Sequence, residues 1–165
     1  MEFTLRPWHI DDVESLVEHA NNKNIAKFMT DGFPNPYTVE KGLAFIEMAL
    51  SFTPNRFYAI VVDGKAVGGI GVHPQADIQK HNAELGYWLS EKYWGNGIMT
   101  KAISQMIEIG FRDFDINRIY ARPFGTNLAS QRILEKVGFT FEHRFEKTFV
   151  KNGELIDELY YSMRR

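Results

Sequence analysis

The sequence predicts an α/β domain with a mixed central sheet of about seven strands flanked by about four helices. Three observations carry that expectation. Period-2 and period-3.6 apolar patterns follow one another as strand, two helices, three strands, helix, strand, helix, two strands. Two pairs of strand patterns are joined by Asp63-Gly64 and by Asn152-Gly153, both two-residue hairpin turns. A strand at 83–89, a helix at 98–113 and a strand at 118–122 together form one right-handed parallel crossover unit within a mixed sheet.

The elements follow in order. Phe3 to Arg6 reads as a short edge strand stopped by Pro7. Asp11 or Asp12 can cap a helix whose apolar positions are Val13, Leu16, Val17 and Ala20. The stretch from Asn21 to Pro36 is loop-rich, with room for a short helix at Ile25 to Met29. Thr38 caps the next helix, which runs through Leu43, Phe45, Ile46 and Leu50. Phe57 to Val62 and Ala66 to Val72 are strands. Gly68, Gly69 and Gly71 in the second predict a bulge or a close backbone approach. Ala83 to Leu89 is the fourth strand and Arg118 to Arg122 the fifth, ended by Pro123. Asn127 caps a helix that stops at Gly138. Phe139 to Val150 and Leu155 to Met163 are the last two strands. Phe139, Phe141 and Phe145 are expected to pack in the sheet core.

Composition narrows the function. The chain has 165 residues, 44% of them apolar and 24% charged, the balance of one ordinary globular domain. No Pro/Gly/Ser linker or repeat divides it, so residues 1–165 are expected to be a single domain. A net charge of −2 argues against a general nucleic-acid binder. There is no cysteine, which removes disulfides, thiolate nucleophiles and thiolate metal ligands. The five histidines form no HxxxH or HExxH pair, so no metal is expected, and His73 and His81 read as surface loop residues, with a place in the acceptor pocket as the alternative. With neither a secretory signal pattern nor an apolar run approaching about 18 residues, a cytoplasmic protein without membrane contact is expected.

The most informative segment is Glu84 to Thr100, ELGYWLSEKYWGNGIMT. It is a strand, a glycine-bearing turn and a helix start. The first N–H groups of a helix have no internal partners, and the macrodipole favours an anion there. Gly95 and Gly97 let the backbone adopt positive φ and approach a ligand. The reading is a pyrophosphate cradle. The turn has no Gly-Lys-Ser/Thr, which disfavours a nucleotide hydrolase.

Two motifs, Trp94-Gly95-Asn96-Gly97-Ile98-Met99 and Asn127-Leu-Ala-Ser130-Gln-Arg-Ile-Leu-Glu-Lys-Val-Gly138-Phe139, together with the element order, resemble the GCN5-related N-acetyltransferase (GNAT) superfamily. The resemblance covers nearly the whole chain and is nearest to the branch of ribosomal-protein-alanine and spermidine acetyltransferases. It implies a GNAT-like fold with strands 83–89 and 118–122 splayed apart. It implies acetyl-CoA as co-substrate and an amine acceptor, either a protein N-terminus or a small molecule. The pantetheine arm would pair with backbone around Tyr87, Trp88 and Leu89, as an added strand does. The pyrophosphate would rest on Trp94, Gly95, Asn96, Gly97, Ile98, Met99 and Thr100. Met99 stands where the family has a small residue and could crowd the phosphate.

The resemblance also assigns chemistry. Glu84 is the implied base that takes the amine proton, directly or through water; its position alone favours an ordinary solvated strand-end carboxylate, and the motif context reverses that preference. Ser130 would assist the departing sulfur, against the alternative of a helix-start serine satisfying an N–H. The tyrosine acid of many relatives is replaced here by Leu134, so Ser130 or water must serve. Asn127 can cap its helix, contact the cofactor arm, or divide its amide between both. With no cysteine and no Ser–His pair evident, direct attack in a ternary complex is expected. The alternative class is a non-catalytic acyl-CoA-binding module. Phe28, Met29, Phe33, Pro34 and Tyr37 form either an acceptor-pocket wall or a hydrophobic cluster beneath a loop. The aromatic last hairpin suggests a homodimer contact.

Overall fold

The computed structural model describes all residues, 1–165. Twelve principal elements follow in order: β1 (Thr4–Pro7), α1 (Val13–Ala20), α2 (Lys23–Ala26), α3 (Val39–Leu50), β2 (Phe57–Val62), β3 (Lys65–Pro74), β4 (Asn82–Leu89), α4 (Ile98–Asp113), β5 (Arg118–Ala121), α5 (Leu128–Val137), β6 (Thr140–Lys151) and β7 (Glu154–Arg164). The strands form one mixed seven-stranded sheet in the order β1-β2-β3-β4-β5-β7-β6. β4 and β5 are the parallel pair; β1/β2, β2/β3, β5/β7 and β7/β6 are antiparallel. There are five α-helices rather than about four. The additional one, α2, is a single turn in the loop-rich segment, begun by the side chain of Asn22, which accepts from the Asn24 amide at 2.7 Å.

Local chemistry explains the boundaries. Thr38 accepts from the Lys41 amide and starts α3. Asn127 accepts from the Ser130 amide and starts α5, which ends at Gly138 with φ 106°. Both hairpin turns have positive φ at their two central residues, Asp63 (49°) with Gly64 (78°) and Asn152 (52°) with Gly153 (78°), as two-residue turns between twisted strands require. Asp12 differs from expectation. Its carboxylate does not cap α1 but accepts from both Arg6 nitrogens (2.7 and 2.8 Å) and from the His9 amide (2.8 Å).

The chain clusters into two compact units. The first comprises residues 1–71 and 87–102. Its core joins Trp8, Leu16, Ile46 and Trp88. Gly68 and Gly69 of β3 make room for Trp88: a Cβ on Gly69 would lie 2.6 Å from the indole nitrogen, and one on Gly68 2.7 Å from the Trp88 carbonyl. The close approach expected of these glycines is real, and the ladder between β2 and β3 is irregular at Ile60/Val61. Tyr37 is buried, and Phe33 and Met29 pack against the same cluster, with Phe33 edge-on to Trp88 at 5.8 Å. These aromatics therefore belong to the core of this unit.

The second unit comprises residues 72–86 and 103–165. Its buried side chains include Ile103, Met106, Ile119, Leu134 and Leu159. The expectation for the last hairpin is corrected here. Phe139 is buried, but Phe141 is 49% and Phe145 43% exposed. β6 is the outermost strand and none of its residues is buried on either face, so alternation cannot turn these rings into a core. The two rings lie edge-on to Tyr161 and Tyr160 instead. No helix is long and apolar enough to cross a membrane.

Candidate active site

In the first unit, β4 ends at Leu89 and a 3-10 turn, Glu91–Tyr93, leads into the glycine turn. Ser90 is fastened at the strand end. Its amide donates to the Val67 carbonyl at 2.8 Å, and its hydroxyl lies 3.0 Å from His19 Nδ1. His19 is buried, and burial pushes its imidazole below the ordinary value, so the ring is neutral near pH 7. With Asn21, Glu91 and Lys92, it lines a pocket of about 310 Å³. The indole of Trp94 donates to the Leu89 carbonyl at 2.8 Å. The Asn96 side chain donates to the carbonyls of Tyr93 and Trp94, both at 3.1 Å. The turn is thus braced by side chains from within.

Gly95 and Gly97 have φ of 76° and 74°, and a Cβ on either would meet nothing within 4 Å. They are required by backbone conformation, and the space over them is open. The Lys101 amide bonds to the Gly97 carbonyl as the first helical hydrogen bond of α4, so Gly97 stands at the helix start. Met99 is 7% exposed and packed into the interior, which removes the expected crowding of the turn. Open space, two left-handed glycines and the start of a 16-residue helix suit a pyrophosphate.

In the second unit, the parallel ladder of β4 and β5 is three residues long: Asn82 with Arg118, Ala83 with Ile119, Glu84 with Tyr120. β4 runs on to Leu89 beyond the last of these pairs, as the splaying expected of the two strands requires. Residues 85–89 include the Tyr87, Trp88 and Leu89 singled out from sequence, which belong to the first unit. Of these, the Leu89 carbonyl is already committed to Trp94.

Glu84 does not stand alone in solvent. Arg122 donates to both its oxygens, from Nε at 2.8 Å and from Nη2 at 3.2 Å. The third nitrogen of Arg122 reaches Glu158 at 3.3 Å, and Glu158 accepts from the Thr148 hydroxyl at 3.1 Å. The hydrogen bonds to Glu84 raise the Arg122 guanidinium above its ordinary value, so it remains charged throughout the working range. Tyr120, opposite Glu84, stacks on Tyr160 with centroids 5.9 Å apart, and burial together with the Glu84 charge pushes its phenol up. Sequence reasoning missed Arg122 and Glu158. The available signal was parity: Arg122 follows Tyr120 by two residues and shares its sheet face.

On α5, Asn127 spends its carbonyl oxygen on the Ser130 amide, which leaves its NH₂ for another partner. Ser130 is 8% exposed and Leu134 fully buried, so the position of the missing tyrosine is a core position here. Tyr161 supplies no substitute acid. Its hydroxyl donates to Glu135 at 2.9 Å, and burial with that bond pushes it up to about 12. His81 lies outside the site, with Nδ1 3.0 Å from the Asp115 carbonyl.

Residues 2–140 match the acetyltransferase (GNAT) domain family. The N-acetyltransferase YnaD of Bacillus subtilis (strain 168) is 26% identical over 159 residues, covering 96% of this chain and 91% of its own. The putative ribosomal N-acetyltransferase YdaF of the same organism is 31% identical over 104 residues, 63% of this chain and 56% of its own. Among solved structures, the microcin C7 self-immunity acetyltransferase MccE, in complex with acetyl-CoA and AMP, superposes with a TM-score of 0.85 at 25% identity, over 99% of this chain and 93% of its own.

Proposed function

The chain belongs to the GNAT family of N-acetyltransferases, and from that premise we propose that residues 1–165 act as one domain that transfers the acetyl group of acetyl-CoA to a primary amine by direct attack. The amine nitrogen forms a bond to the thioester carbonyl carbon. The C–S bond breaks, and the electron pair leaves with sulfur as the CoA thiolate. The proton lost by nitrogen passes to Glu84, through water, because both carboxylate oxygens already accept from Arg122 while each retains a lone pair. Ser130 or water returns a proton to the thiolate. Backbone amides hold the developing oxyanion.

The observation that carries the reading is the position of Glu84, the last residue of β4 in the ladder with β5, while β4 itself runs on to Leu89. A cofactor arm can add to a strand beyond such a ladder, which supports a carboxylate at its end as the base. The turn from Trp94 to Thr100 takes the pyrophosphate, and the Asn127 NH₂ takes part of the arm. The ligand of MccE and the name of YdaF support acetyl-CoA as donor and an amine, such as a protein N-terminus, as acceptor. The test is thiol release from acetyl-CoA in the presence of a panel of polyamines, amino acids and N-terminal peptides. Amine-dependent release with an equal yield of acetylated amine is expected. Tight acetyl-CoA binding without release across the panel would identify a non-catalytic acyl-CoA-binding module instead.

A further inference from the structure

We propose that Arg122 is a positioning residue for Glu84, anchored in turn by Glu158 and Thr148. The inference rests on the reading of Glu84 as base. In the ladder, Tyr120 lies opposite Glu84 and opposite Ser162, so these three strands present one shared face. Arg122, two residues past Tyr120, and Tyr160 and Glu158, two and four residues before Ser162, emerge on that same face. The guanidinium lies side-on to Glu84 with Nε and Nη2, and this orientation aims Nη1 at Glu158. All three nitrogens are used, which fixes the plane of the fork.

Glu158 is held as well. It is 9% exposed, and its second oxygen takes the Thr148 hydroxyl. Thr148 lies in the irregular stretch of β6 between Phe145 and Phe149. There Lys147 has φ 54° and its amide donates to Asp157 at 2.9 Å. A continuous run of contacts thus passes from the β6 bulge through Glu158 and Arg122 to the Glu84 carboxylate. Arg118 does not compete, since it is engaged by Glu142 at 2.8 Å and Asn82 at 3.1 Å.

A strand-end glutamate has several free rotamers, whereas proton transfer needs one geometry; the side-on fork selects it.

The experiment is kcat and KM, by thiol release at saturating acetyl-CoA with an amine that supports turnover, for wild type, Arg122→Gln, Arg122→Lys, Glu84→Gln and the Arg122→Gln/Glu84→Gln double variant. Arg122→Gln is expected to lower kcat near neutrality roughly tenfold, with the KM for acetyl-CoA unchanged. Arg122→Lys restores the charge but not the fork, so its kcat stays depressed. The double variant is expected to be no slower than Glu84→Gln alone, because a positioning residue acts only through the group it positions. A double variant whose loss is the product of the two single losses overturns the proposal, whatever happens to Tm. If Arg122→Gln does not fold, an Arg122→Lys enzyme with wild-type kcat overturns it. A wild-type kcat in Glu84→Gln means the base is elsewhere. Loss of turnover there, with wild-type kcat in Arg122→Gln, sinks only the positioning role.

Discussion

The indole Nε1 of Trp94 donates to the main-chain carbonyl of Leu89 at 2.8 Å, tying the glycine turn back to the end of the strand it leaves. The ring of Trp94 is 45% exposed, so its contribution is this one hydrogen bond more than burial.

Trp94→Phe keeps the ring and removes the donor. A lost hydrogen bond of this kind costs about 1 kcal/mol, which corresponds to a roughly fivefold weaker Kd for acetyl-CoA with kcat retained. Calorimetric titration of the variant checks this. An unchanged Kd would show that the turn holds its shape without the brace.

Gly97→Ala separates conformation from space. Nothing lies within 4 Å of the new methyl, but φ of 74° is left-handed backbone. The expected cost is about 1–2 kcal/mol of strain, visible as a lower Tm and as weaker acetyl-CoA binding because the turn relaxes away from its cradle shape. Gly86→Ala is the control: its Cβ would meet only His73, at 3.8 Å, an ordinary contact.

Asn127 is tested by two substitutions. Asn127→Ala removes the cap on the Ser130 amide and should cost about 1 kcal/mol of stability. Asn127→Ser keeps a capping oxygen and loses only the NH₂. Near-wild-type stability in urea with a raised KM for acetyl-CoA is the expected result for serine. A wild-type KM would make Asn127 a cap and nothing more.

Much of this architecture was legible locally. β2 and α4 have the same boundaries in sequence and structure, 57–62 and 98–113, because an apolar period and its stop signals lie within the element itself. The two hairpin turns were equally plain, since Asp-Gly and Asn-Gly name their own geometry. The Glu84–Arg122–Glu158 cluster was not, because its members lie 38 and 36 residues apart and meet only through a β4-β5-β7 strand order. Nor were the exposed Phe141 and Phe145 foreseeable by alternation, since alternation does not tell that β6 lies at the sheet edge with neither face buried. The role of Asp12 was hidden for a related reason. A helix-start aspartate looks like a cap, and only the fold shows that Arg6 claims it first.

That aspartate has a pH signature. Burial alone would push the Asp12 carboxyl up, but hydrogen bonds from Arg6 and the His9 amide outweigh it and the net value lies below the ordinary one. A depressed carboxyl contributes stability that is present above its unfolded value, about 3.9, and is lost as pH falls through the folded value. Wild type should therefore lose stability steeply below about pH 4. Asp12→Asn should be less stable near neutrality by about 1.5–3 kcal/mol and flatter across the acid range. Urea unfolding of both proteins as a function of pH decides it, and parallel curves would contradict the assignment.

The most direct test of the account is amine-dependent thiol release by Glu84→Gln beside wild type, at saturating acetyl-CoA near neutral pH. The account predicts that the variant binds acetyl-CoA as wild type does and loses turnover by roughly 10²-fold or more. A Glu84→Gln enzyme with wild-type kcat across the pH profile would contradict it.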